Sequence, residues 1–193
     1  MKFEPIQIVP PSALPLTLIE AKAHCRVDGT DNDDYLTAAI GAAVSYLDGY
    51  SGILGKCLMP QTWAQEFDRW KDFPLCLGPV IDLLSISYFD SNGDPQSVDL
   101  STVRIERRVI DTFAALKSVA SWPNADFSYG PITVTWRAGH SDAGAVPDAI
   151  KQAMKLLVGH WFESREAVVV GTISSELPLA VDALLTPHRR VKP

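Results

Sequence analysis

Four acidic residues crowd one short stretch of the chain: Asp28, Asp31, Asp33 and Asp34. Carboxylates at such spacing are what a calcium loop uses, but that loop also needs a central glycine and a bidentate Glu at its end. Here Gly29 comes too early, and position 39, where a loop opening at Asp28 requires its Glu, is Ala39. Asp is favoured at helix starts by capping and by the helix dipole, so the cluster reads as the beginning of a helix. His24 and Cys25 are adjacent, yet the chain has no C-x-x-C or H-x-x-x-H pair, and the spacing for zinc is missing. His140, Ser141 and Asp142 are consecutive. A nucleophilic triad converges from separate elements, so three neighbours in a Gly-rich stretch read as a turn. No Gly-rich phosphate loop of either common type is present.

His160 stands beside Trp161, with Glu163, Arg165 and Glu166 following. This group is expected at a subunit interface, with helix packing or a solvated face as the plainer alternatives; a catalytic base is the outside reading of His160. No catalytic, metal-binding or cofactor-binding residue is predicted, and the chain is read as a non-enzyme.

The elements that carry these residues follow from composition and period. The chain has 193 residues with 47% hydrophobic and 21% charged content, which is ordinary for a globular protein and argues against disorder. A chain this long buries about 70% of its unfolded surface and needs no metal or disulfide to fold. Cys25, Cys57 and Cys76 are odd in number and widely spaced, so they read as small buried thiols. No apolar run approaches the ~20 residues of a membrane span, and the first residues lack the apolar core of a signal peptide; synthesis in the cytoplasm is expected. The formal net charge of -6 opposes general affinity for nucleic acid, which depends on cations displacing counterions.

Residues 1–16 hold Pro5, Pro10, Pro11 and Pro15 and are expected to be an extended arm, since proline removes donors and blocks helix. Thr17-Leu18-Ile19-Glu20 has the form of a capping box and opens a short helix that fades near Arg26. Asp31 is the N-cap candidate of a second helix, with Leu36, Ile40, Ala43, Leu47 and Tyr50 on one face and Ser51-Gly52 at its end. From about 60 to 137 the pattern alternates. Trp63, Gln65 and Phe67 share a face, Val80 to Phe89 is rich in β-branched and aromatic residues, and Asn92-Gly93 signals a hairpin. Ile132, Val134 and Trp136 alternate with Thr133 and Thr135. Residues 109–130 are ambiguous: Asp111 to Ala120 suits either a short helix or a strand. Helix returns at Pro147, a favoured first position, with Ile150, Met154, Leu157, Val158 and Trp161 as its apolar stripe, and runs to about Arg165. A short helical segment spans Pro178 to Leu185.

The fold class expected is therefore α+β, mainly α: a helical body from 17–59 and 138–185, a β-rich insertion at 60–137 forming one small antiparallel sheet, and a basic tail at 186–193.

Several stretches together resemble the head–tail connector, or head-completion adaptor, family of tailed phages, prophages and gene transfer agents. The N-terminal likeness lies in Leu16-Thr17-Leu18-Ile19-Glu20-Ala21-Lys22-Ala23-His24-Cys25-Arg26-Val27-Asp28 and in the helix ending Tyr50-Ser51-Gly52. The C-terminal likeness lies in Val146 to Ala153, in His160 to Gly171, and in Glu176 to Leu185, with Gln61-Thr62-Trp63 and Arg137-Ala138-Gly139-His140 between them. Cys25 stands where the family usually has an aliphatic residue, and His140 where an aromatic is common. The resemblance implies a structural subunit of a ring, typically dodecameric, below the portal. That ring continues the DNA channel without binding DNA specifically, and meets a downstream neck or tail-completion protein. It also implies that the C-terminal segment engages the portal, which here means His188, Arg189, Arg190 and Lys192. The competing readings are another neck or tail-completion part and a small enzyme of unknown class.

Overall fold

The computed structural model describes residues 3–108, 111–164 and 179–190. These divide into two compact units, one of residues 1–12 and 60–140, the other of residues 13–59 and 141–193.

The helical unit is built on one apolar core. Helix α1 spans Leu18–Cys25. Its start is a complete capping box: Glu20 N donates to Thr17 Oγ1 (3.2 Å), and Thr17 N donates to Glu20 Oε2 (2.9 Å). Its end is Arg26 in the left-handed region, φ 55°, a conformation a non-glycine residue adopts at some cost. Helix α2 spans Asp33–Leu47 and its N-cap is Asn32, not Asp31. Leu36, Ile40, Ala43 and Leu47 face inward, as their 3.6-residue spacing requires. The helix stops at Asp48, and Gly52 follows because of space: a Cβ there would run into the backbone of Leu47 and Asp48. Helix α3 spans Asp148–Glu163 from an N-cap at Pro147, burying Ile150, Met154, Leu157 and Val158. Helix α4 spans Leu179–Leu185 and buries Val181 and Leu185 in the same cluster.

The other unit is all strand. Strand β1 is Ile6–Val9, β2 Gln61–Phe67, β3 Phe73–Leu75, β4 Val80–Phe89, β5 Pro95–Ser97, β6 Val103–Arg107, β7 Thr112–Leu116 and β8 Ile132–Ala138. They form a five-stranded sheet in the order β1-β2-β8-β4-β5 and a three-stranded sheet in the order β3-β7-β6, with antiparallel neighbours throughout. Strict alternation on β2 buries Gln61, Trp63, Gln65 and Phe67. On the central strand β8 it buries Ile132, Val134, Trp136 and Ala138. The β4–β5 hairpin turns at Asp90–Asp94, where Asp90 Oδ1 accepts from the amides of Asn92 and Asp94 and Gly93 takes φ 82°, which glycine adopts without a steric penalty.

Two expectations are corrected. The chain is not mainly α: helix makes up 30% and strand 27% of the described structure, a balanced α+β protein. Long periodic helices are conspicuous in sequence, whereas several of these strands run only three to five residues, too few to display alternation. The insertion is also two sheets, not one. The return from the hairpin leaves β4 after Ser97, and β6 pairs with β7, the strand at Thr112–Leu116.

Candidate assembly surfaces

The residues with chemical potential are mostly engaged in holding the backbone. Asp33 Oδ1 lies 2.6 Å from Lys22 Nζ, which also donates to the carbonyl of Gly29, so this carboxylate closes the turn between α1 and α2. Asp142 Oδ1 accepts from the amides of Gly144 and Ala145 (2.8 and 3.0 Å), and its Oδ2 accepts from Ser141 Oγ at 2.9 Å. The Ser141 hydroxyl and these two amides hold its carboxyl below the usual range. Ser141-Asp142 is thus a turn leading into α3, its hydroxyl pointing at its neighbour's carboxylate and not at a histidine. Burial, then the nearby Glu163 carboxylate, pushes the Cys25 thiol up, the reverse of an activated nucleophile. Among the described residues no three His, Cys, Asp or Glu side chains stand close enough to hold a metal ion.

The expected interface residues lie at the C-terminal end of α3. His160 and Trp161 are half-buried and Glu163 is exposed; Arg165 and Glu166 lie outside the described residues. Trp161 packs against the helical core, and its carbonyl accepts from Tyr35 Oη at 2.6 Å. The Tyr35 ring meets Phe162 edge-on at 6.0 Å. This end of α3 is therefore fixed to α2, with Glu163 exposed and His160 half-buried.

Of the expected portal-binding residues, Arg189 is exposed and pairs with Asp182 at 2.6 Å. Residues Thr186–His188 form a single 3-10 turn, and Arg190 N donates to the Leu54 carbonyl at 2.9 Å. The tail is seated on the helical unit as far as Arg190. Lys192 lies outside the described residues.

Sequence reasoning missed one surface. Ile6, Ile8 and Val9 of β1 are 64%, 56% and 52% exposed, on an edge strand whose other side pairs with β2. Near the start of this strand a hollow of about 260 Å3 is lined by Phe3, Asp68, Phe127, Ser128, Tyr129, Gly130 and Pro131. The available signal was the absence of any charged side chain between Glu4 and Glu20.

Residues 15–109, about half of the chain, match the family model described as phage gp6-like head-tail connector protein. The chain belongs to this head–tail connector family. It is a structural connector subunit and not an enzyme. The connector fold extends over the rest of the chain as well. It is similar to a chain from the neck of an empty gene transfer agent particle computed with C6 symmetry, at 21% identity and a TM-score of 0.76, covering 98% of this chain and 97% of that one. Similar chains come from the virion of the native gene transfer agent (21% identity, TM-score 0.66, 96% and 97% covered). Another comes from the neck of the native particle computed with C12 symmetry (22%, 0.66, 100% and 97%). No curated protein matches the connector sequence.

Proposed function

We propose that this connector forms a closed ring at the neck of a phage or phage-like particle, typically of twelve subunits, below the portal. There it continues the DNA channel and presents a platform for a downstream neck or tail-completion protein. The observation that carries the reading is the end-to-end likeness of both units to neck chains from particles treated with C6 and C12 symmetry. A closed ring needs two different, complementary patches on each subunit. The end of α3, with His160, Trp161, Glu163, Arg165 and Glu166, supplies one. The segment His188, Arg189, Arg190 and Lys192 docks on the portal, where arginine can grip acidic side chains bidentately. DNA passes without specific binding: the chain carries a net charge of -6, and phosphate affinity needs the opposite sign. No described helix is long and apolar enough to cross a membrane.

The test is to mix the purified chain with purified portal and image the complex by electron microscopy. A ring of connector subunits on the portal is the expected result. Cross-linking that captures only isolated monomers on the portal would overturn the ring.

A further inference from the structure

The described sheets present four open edges, on β1, β5, β3 and β6. Natural proteins guard such edges with short strands, prolines or charges. Strand β5 has three residues and opens with Pro95; β3 has three residues with Pro74 at its centre; β6 carries Arg104, Glu106 and Arg107. Strand β1 is four residues long, with a register shift between Gln7 and Val9 in its pairing with β2, but it has no proline or charge within its span. It is Ile6-Gln7-Ile8-Val9, every residue exposed, in a stretch free of charge from Pro5 to Ile19. An edge like this invites another strand.

We propose that β1 is a self-pairing edge: in the free protein, two copies of this chain join antiparallel along Ile6–Val9, setting Pro10 and Pro11 of each against the other's aromatic hollow at Phe3, Phe127 and Tyr129. Three observations select a second copy as the occupant. The other described strand edges carry prolines or charges, so the partner free of both that a second copy offers is β1 itself. A chain of net charge -6 repels its own kind least along a strand with no charged side chain, which leaves Glu4 and Asp68 at the ends of the contact. The third is register. Antiparallel pairing centred on Gln7 and Ile8 puts Ile6 opposite Val9 and carries the partner's Pro10 and Pro11 past Pro5 to the end of the strand, where Phe3 lines the hollow. Proline segments dock on aromatic-lined surfaces, and Glu4 then faces proline and not a second carboxylate.

The contact is two-fold, and each copy contributes the same patch. Neighbours in a ring are related head to tail, so this pairing belongs to the free protein, where it covers an edge otherwise open to indiscriminate strand addition. Four-residue strands bury less than the roughly 1,200 Å2 of a stable interface, so the dimer is weak and depends on concentration.

The experiment is sedimentation velocity of the full chain from about 5 to 500 µM, a span that covers weak association, with hydrogen exchange at both ends of the series. The expected result is a reversible monomer–dimer equilibrium and slower exchange of the amides of residues 6–9 at high concentration. Ile8→Lys, which places a charge on an exposed side chain, should weaken the dimer at least tenfold while leaving the melting temperature unchanged. Tyr129→Ala should weaken it less. A monomer at every concentration overturns the proposal, as does a dimer that Ile8→Lys leaves intact. Loss of the dimer with rings still forming on the portal separates this contact from the ring contact.

Discussion

Glu20 serves two structures at once. It closes the capping box of α1 through Thr17, and its Oε1 lies 2.8 Å from Lys151 Nζ on α3. The Lys151 ammonium, then the Thr17 amide, hold its carboxyl down at about 2. A carboxyl depressed in the folded state stabilises the protein above its unfolded pKa, and that contribution is lost as pH falls through the folded value. The window here runs from about 4.5 down to about 2. Glu20→Gln can keep the reciprocal cap but does not titrate. Its melting temperature should lie below that of the wild type at pH 7 and converge with it as pH falls from about 4.5 toward about 2, as measured by calorimetry in parallel buffers. Two glycines make an opposite pair. Gly41, within α2, has nothing within 4 Å of where a Cβ would stand. Gly41→Ala should therefore stabilise by about 0.5–1 kcal/mol. Gly52→Ala should destabilise by about 1–3 kcal/mol, because its Cβ has no room against the backbone; urea unfolding of both variants checks the signs. The capping box was legible because its chemistry lies within four residues. The role of Gly52 was not, because the backbone it must clear comes from the preceding helix end, and a sequence shows only a plausible helix stop.

Among the elements, legibility followed length and regularity. Helix α3 has sixteen residues, and its apolar stripe repeats often enough to fix both period and buried face. Strand β8 alternates without a break over seven residues. Strand β7 is Thr-Phe-Ala-Ala-Leu. Its two alanines are consecutive and both buried, and alanine favours helix, so local preference points away from the observed strand. Tertiary pairing on both sides, with β3 and β6, decides the outcome. The same reasoning locates the sensitive strand of the larger sheet. Trp136 is fully buried on β8 and donates from Nε1 to the Leu77 carbonyl at 3.2 Å. Trp136→Ala should cost about 3–5 kcal/mol. Because the chain has two compact units, hydrogen exchange should quicken across residues 60–140 far more than in α1 to α3.

At the scale of the whole molecule, the helices suggested a helical body with a decoration, while the structure is two units of comparable weight. Pairing between distant strands has no local signature, and the 5+3 division into sheets depends on it. The assembly surfaces divide the same way. A cluster of basic residues at the chain's end is visible in sequence, but its seating is not: Arg189 is tied to Asp182, and the Arg190 amide to Leu54. That seating sharpens what removing residues 186–193 should do. Leu185, the last fully buried side chain among the described residues, is retained. The exposed Arg189–Asp182 pair contributes at most about 1 kcal/mol, and the backbone bond to Leu54 about as much. The truncated chain should fold with a melting temperature only a few degrees lower, while portal binding weakens at least tenfold, or ~1.4 kcal/mol. The binding that remains should respond less to salt, because the charges most exposed to screening are gone. Arg189→Glu separates the two roles. It sets like charges beside Asp182 and removes one cation from the docking segment, yet it keeps the chain length and the Leu54 contact. Binding measured at two salt concentrations for the wild type, the truncation and Arg189→Glu gives the answer. If the truncated chain bound portal as tightly as the full one, the basic end would be a solubilising tail and no docking segment.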